Sequence, residues 1–395
     1  MFSQEMCEIG RKPSCIRELF EYGLMMTEKV GKENVFDYSI GNPSVPAPKE
    51  VSEAMVELTK MDSLFVHGYT PAAGDIKTRQ AIAEDLTERT GMRIDARDLF
   101  ITCGAAPALT SVFTALGVEN AEFIATAPYF PEYRVFVKPS GGKLVTVPAD
   151  TQTFQIPLQA LEQAITSHTQ AVIVNSPNNP SGVVYSRETL EKLAGILKRK
   201  SEEYGHPIYI VSDEPYRELV YDGLEVPFIP TIYPNTIVCY SYSKSLSLPG
   251  DRIGYACIPA CVADHDDLLS ALAGSARSFG HVCAPSIMQK MLVNCVHLRP
   301  DIRTYDENRK LLYSELSAMG FHCVKPQGAF YLLLRAPNGD SKAFSELAKQ
   351  KNLLIVPCDD FGCPGFLRVC TCVAKDMILR SLPAWKALSE ECGAK

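Results

Sequence analysis

Five short apolar runs recur along the middle of the chain, separated by stretches with helical spacing. They are Leu99-Phe-Ile-Thr102, Glu122-Phe-Ile-Ala-Thr126, Gln170-Ala-Val-Ile-Val174, Ile208-Tyr-Ile-Val211 and Thr236-Ile-Val-Cys-Tyr240. Runs that are apolar throughout, rather than at alternate positions, predict strands buried on both faces. Their alternation with amphipathic helices therefore predicts an α/β fold with a mostly parallel sheet covered on both sides. Ligands of such sheets bind outside the carboxyl ends of the strands, so the residues that follow each run are where chemistry is expected.

Those residues are distinctive. After Thr102 come Cys103-Gly104-Ala105-Ala106 and a helical pattern from Pro107. Small residues at a strand-to-helix junction leave backbone N–H groups free to hold a phosphate, although they also suit close packing. After Thr126 comes Pro128-Tyr129-Phe130-Pro131, two rings in a rigid turn. The third run opens into Asn175-Ser-Pro-Asn-Asn179-Pro180-Ser181-Gly182, and the fourth delivers Ser212-Asp213-Glu214-Pro215-Tyr216. Ser186 is placed to cap a helix that carries Leu190, Leu193, Ile196 and Leu197 on one face and stops at Gly205.

The fifth run leads into Ser241-Tyr-Ser-Lys244, then a Pro249-Gly250 turn and Arg252, eight residues past the lysine. Most lysines are solvated surface charges. A lysine at a strand end among small and apolar residues is desolvated, which lowers its pKa and makes the amine nucleophilic. Hydroxyls and a guanidinium around it suit a phosphorylated carbonyl compound.

Outside this region the pattern changes. Gly41-Asn42-Pro43 marks a tight turn, and Ser14 is placed to start a helix in the N-terminal arm. Residues 50–97 read as helical with a loop at 67–74, where Tyr69 either packs or contacts a ligand. Long helical segments fill 264–317. Short strands around Gly328-Ala-Phe-Tyr-Leu-Leu-Leu334 and Phe366-Leu-Arg368-Val369 then mix with helices, as in a separate α+β lobe.

Composition narrows the function. A formal charge of −7 with no long basic run speaks against a nucleic-acid partner, and Lys198-Arg-Lys200 fits the end of a helix. No apolar run is long enough for a membrane span, and the acidic start, Met1-Phe-Ser-Gln-Glu, is unlike a secretory signal. The fourteen cysteines lie in apolar contexts and read as reduced thiols of a cytoplasmic protein. Cys370-Thr-Cys372 lacks zinc-ribbon spacing and a nearby histidine, so no metal site is expected.

Asp-Glu-Pro-Tyr at a strand end, with Ser-x-Ser-Lys beginning 28 residues after Asp213, resembles the class I/II aminotransferases of the fold-type I pyridoxal-phosphate enzymes. The ordered series Gly41, Tyr69, Gly104-Ala105-Ala106, Phe130, Asn179, Asp213, Tyr216, Lys244, Arg252, Arg368 extends the resemblance over nearly the whole chain. It implies a large domain with a seven-stranded sheet over 49–285 and a small α+β domain over 286–395. The arm at 1–48 would complete the small domain.

The resemblance also implies roles. Lys244 would hold pyridoxal 5′-phosphate as a Schiff base and serve as general base. Asp213 would keep the pyridine nitrogen protonated, and Asn179 with Tyr216 would face the 3′-oxygen. Phe130, rather than Tyr129, would stack on the ring. Arg252, Ser241, Ser243, Gly104 and the N–H groups of Ala105 and Ala106 would take the phosphate. Arg368 would clamp the substrate α-carboxylate under the Gly41 segment. A homodimer with shared sites follows too, in which Tyr69 reaches the phosphate on the partner chain.

One departure bears on substrate. The only tryptophan is Trp385, far from the stacking position, which points to the broader branch acting on aspartate, aromatic and other neutral amino acids. Aspartate leads among the donors, with a 2-oxo acid as acceptor. A dicarboxylate needs a second cation, and Arg277 is available for that or is simply an exposed helix-end residue. Two alternatives stay open. A C–S β-lyase or an aminocyclopropane-carboxylate-synthase-like lyase shares these motifs. A regulator with an aminotransferase-like domain carries a basic winged helix ahead of it, whereas only 40 residues precede Gly41 here.

Overall fold

A computed structural model of the protein describes residues 2–11 and 15–394; the helix start expected at Ser14 lies outside the described residues. Seven strands form the main sheet: β1 (Leu99–Thr102), β2 (Glu122–Thr126), β3 (Lys143–Val147), β4 (Thr169–Asn175), β5 (Tyr209–Asp213), β6 (Thr236–Ser241) and β7 (Gly254–Cys257). Their order across the sheet is β1-β7-β6-β5-β4-β2-β3. Every pairing is parallel except those of β7, which runs antiparallel to both β1 and β6. The five apolar runs lie in this sheet within a residue or two of their expected bounds.

β3 had no such signal. It is an edge strand on which Lys143 and Thr146 are exposed, so the sequence there is not continuously apolar.

Helices bury both faces of the sheet. Helices Ala105–Ala115 and His265–Ser278 set Phe113 and Leu272 against Phe123 and Val211 on one face. Helix Arg187–Tyr204 sets Leu190, Leu193 and Leu197 against Val172 and Ile210 on the other. Each such leucine contributes about 1.5–3 kcal/mol on full burial. The Ser186 Oγ accepts a bond from the Thr189 N–H at 3.1 Å, and Gly205 ends the helix at φ +74°.

The second lobe is built on β8 (Cys323–Val324), β9 (Tyr331–Arg335), β10 (Val356–Pro357) and β11 (Phe366–Cys370), antiparallel in the order β10-β11-β9-β8. Trp385 lies at its centre, 5.9 Å from the Tyr38 ring, so the segment after the N-terminal helix belongs to this core. Helix Cys15–Val30 adds Leu19 against Val356 and Cys358.

Helix Ser286–Leu292, just past the expected division at 285, packs Met288, Met291 and Leu292 against Leu58 and Ile82 of the large lobe. The small lobe's own core takes in Leu312 and Leu316 of helix Ile302–Ala318. A helical period looks the same on either side of a domain boundary, so sequence alone could not mark this change of partners.

Candidate active site

A cavity of about 430 Å³ opens at the carboxyl ends of β4, β5 and β6, under the small lobe. All the expected site residues border it except Gly104, Tyr69 and Arg277.

Strand direction explains the centre. β5 ends in Asp213, whose carboxylate is buried. The Tyr133 hydroxyl donates to Oδ2 at 2.6 Å, and the Asn175 amide donates to the Asp213 carbonyl at 2.9 Å. Oδ1 is buried with no partner among the described residues. Burial raises the Asp213 pKa to about 7, while the Tyr133 bond pulls the other way.

β6 ends in Ser241, which caps the short helix Tyr242–Ser245 carrying Lys244. The Lys244 amine donates to the Gly41 carbonyl at 2.6 Å and lies 5.5 Å from the centre of the Phe330 ring. Burial lowers its pKa, and the nearby Arg368 and Arg252 charges push the same way.

One end of the cavity suits an anion. Helix Ala105–Ala115 opens there with no acid in its first turn and no side-chain cap, so its N–H groups are uncommitted. Arg252, held at φ +53°, donates to the Pro249 carbonyl at 2.9 Å, and its Nη1 lies 3.5 Å from Ser243 Oγ. The Ser241 and Ser243 hydroxyls are 2.8 Å apart. Gly104, at φ +99°, leaves room for the guanidinium: a Cβ there would stand 2.9 Å from Arg252 Nη2.

Arg368 rises from the antiparallel sheet. It is 2% exposed and pairs with no carboxylate among the described residues. Its guanidinium donates to Asn179 Oδ1 at 3.1 Å and to the Ser39 carbonyl at 2.6 Å, and Nε has no described partner. Gly41 is glycine for a steric reason, since any Cβ there would overlap the Tyr331 hydroxyl. That hydroxyl is 2.8 Å from the Tyr216 hydroxyl. Phe130 borders the cavity, whereas the buried Tyr129 hydroxyl accepts bonds from Arg134 instead.

Two expected residues stay apart. Tyr69 is 89% exposed, and Arg277 is exposed in the last turn of helix His265–Ser278; neither borders this chain's cavity. Three others were not singled out beforehand. Asn175, the polar residue that ends β4, offered a strand-end signal; Tyr133 and Tyr331 offered none, because their partners are brought in by tertiary packing. A roomier cavity of about 870 Å³ holds Arg89 and Arg217, but both are paired, with Glu218 and Glu214.

Known proteins with this arrangement share a family. The family model for aminotransferase class I and II matches residues 33–382. A probable aspartate/prephenate aminotransferase of Thermus aquaticus is 31% identical over 87% of this chain and 88% of its own. An amino transferase from Eubacterium rectale superposes with a TM-score of 0.97 at 53% identity, covering 99% of both chains. Aspartate aminotransferase from Thermus thermophilus with maleate gives 0.86 at 27% identity, covering 98% of this chain and 100% of that one. With the family model matched over residues 33–382, most of its length, the chain belongs to the class I and II aminotransferases.

Proposed function

We propose that this cavity is where the chain, a pyridoxal-phosphate-dependent aminotransferase, moves an amino group between an L-amino acid and a 2-oxo acid in a ping-pong cycle. The observation that carries the reading is Asp213 Oδ1, a buried carboxylate oxygen without a partner, in the same cavity as a buried lysine of lowered pKa. A carboxylate left this way suits a ring N–H. The open helix N-terminus beside Arg252 suits a phosphate dianion. When bound, pyridoxal phosphate supplies an aldehyde that takes up amines and a ring that accepts the electron pair released at Cα.

The chain's own residues do the rest. Asp213 would hold a proton on the ring nitrogen, and Tyr216 and Asn179 would donate toward the 3′-oxygen. Phe130 would stack on the ring. Arg252, the two serines and the N–H groups of Ala105 and Ala106 would anchor the phosphate. Arg368 would clamp the α-carboxylate, with the Gly41 segment closing over it. Lys244 would be the covalent anchor and, once displaced by substrate, a free amine able to take the Cα proton at Nζ and hand it to the former aldehyde carbon rather than back to Cα. Burial lowers the pKa of that amine, which favours the neutral form that accepts a proton.

We further propose a homodimer with shared sites. The support is Tyr69, exposed on a loop beside Leu64 and Phe65, which are also exposed. No helix among the described residues is long and apolar enough to cross a membrane, and all fourteen cysteines are free thiols, which supports the cytoplasm. Aspartate stays a candidate donor on the names of relatives. Its second carboxylate then needs a cation from outside this chain's cavity, such as Arg277 of a second copy.

Product balance separates transfer from elimination. An aminotransferase forms one 2-oxo acid for each acceptor aminated and stops when the acceptor is withheld. Ammonia or sulfide released without an acceptor would make it a lyase.

A further inference from the structure

The proposed reaction leaves one charged side chain in the cavity without a task. Glu132, two residues past the stacking Phe130, borders the same cavity and is half-buried. Its carboxylate does not cap the helix it precedes and forms no ion pair among the described residues. The cavity's charges can be followed one by one. Its cations are Lys244, Arg252 and Arg368, and its acids are Asp213 and Glu132. The lysine goes to the carbonyl carbon, Arg252 to the phosphate, Arg368 to the α-carboxylate and Asp213 to the ring nitrogen. Of this chain's own cavity charges, only Glu132 remains for the substrate side chain. Ile16, Ile40, Leu109 and Phe136 supply apolar wall to the same cavity.

We propose that Glu132 is a specificity-determining residue that favours an amino acid with a cationic side chain and opposes a second carboxylate. The proposal rests on the aminotransferase reading but goes against the aspartate that the relatives' names suggest, giving the donor a cationic side chain instead. Facing a dicarboxylate, Glu132 puts like charges together in a partly desolvated space. Facing a lysine- or ornithine-like ammonium, it supplies the missing counter-charge while the walls hold the methylenes. Repulsion of the wrong partner is as much a part of selectivity as attraction of the right one.

The test compares the holoenzyme with Glu132→Gln on three amino acids of similar length: L-lysine, L-norleucine and L-glutamate. Norleucine reports general competence. The kcat/KM of lysine over norleucine falls about tenfold or more in the variant, and that of glutamate over norleucine rises by a similar factor. Calorimetry with unreactive ligands gives a second reading. The wild-type protein binds 6-(dimethylamino)hexanoate, a cation that cannot form an imine, more tightly than hexanoate and adipate most weakly, and Glu132→Gln compresses that order. Unchanged ratios in a variant that still turns over norleucine overturn the role of Glu132 alone. A selective loss of glutamate turnover in Arg277→Leu overturns it too, since the side chain would then meet a cation. No 2-oxo acid from any of the three overturns the aminotransferase reading and the proposal with it.

Discussion

Asp213 is held by Tyr133 through one oxygen and has no partner among the described residues on the other, which makes it sensitive to whatever occupies the cavity. In the cofactor-free protein its pKa is about 7, against 3.8 for an ordinary aspartate. Between those values the folded state keeps a proton that the unfolded chain has released. Stability therefore falls as pH rises through that window and levels off above it. Thermal unfolding of the cofactor-free protein between about pH 4 and 7 should show this decline, and Asp213→Asn should remove it. A ring N–H on Oδ1 favours the charged carboxylate, so the loaded protein should show a flatter profile. Asp213→Asn should also reduce transamination by orders of magnitude with cofactor binding still measurable. A near-normal rate in that variant contradicts the role given to Asp213.

The anion end of the cavity depends on how two elements meet. β1 ends where helix Ala105–Ala115 begins, and β7 starts at Gly254, whose hypothetical Cβ would stand 2.9 Å from Gly104 Cα. Gly104→Ala strains a backbone at φ +99° and drives a methyl group into Arg252. It should weaken cofactor affinity by about tenfold or more, a loss of roughly 1.4 kcal/mol, measured by fluorescence titration. Unchanged affinity would mean that Arg252 does not hold the phosphate.

Elements of this kind were readable in the sequence because their signals are local: continuous apolar runs, Ser186 as a cap, Gly205 as a stop. β3 was not, since its exposed Lys143 and Thr146 break the run. The lysine and aspartate were legible from residue type at strand ends. Tyr133, Tyr331 and Glu132 were not, because each acts through groups that only the fold brings beside it.

At the scale of the whole molecule, the unassigned pieces are those on the outside. Tyr69 and Arg277 lie beyond the cavity of their own chain, and no pattern in one sequence says what a second copy brings. If Tyr69 serves the partner's phosphate, Tyr69→Ala and Lys244→Ala, each poorly active alone, should regain part of the wild-type rate when mixed and allowed to exchange subunits. A hybrid then contains one site with neither defect. No recovery in verified hybrids, or a fully active monomer by sedimentation, contradicts shared sites.

All of these roles presuppose that Lys244 is the point of attachment. Borohydride reduction of the loaded enzyme, followed by peptide mapping, tests that directly. The label should fall on the peptide containing Lys244, with none in Lys244→Ala. A label on a different lysine, or full turnover by Lys244→Ala, would contradict it.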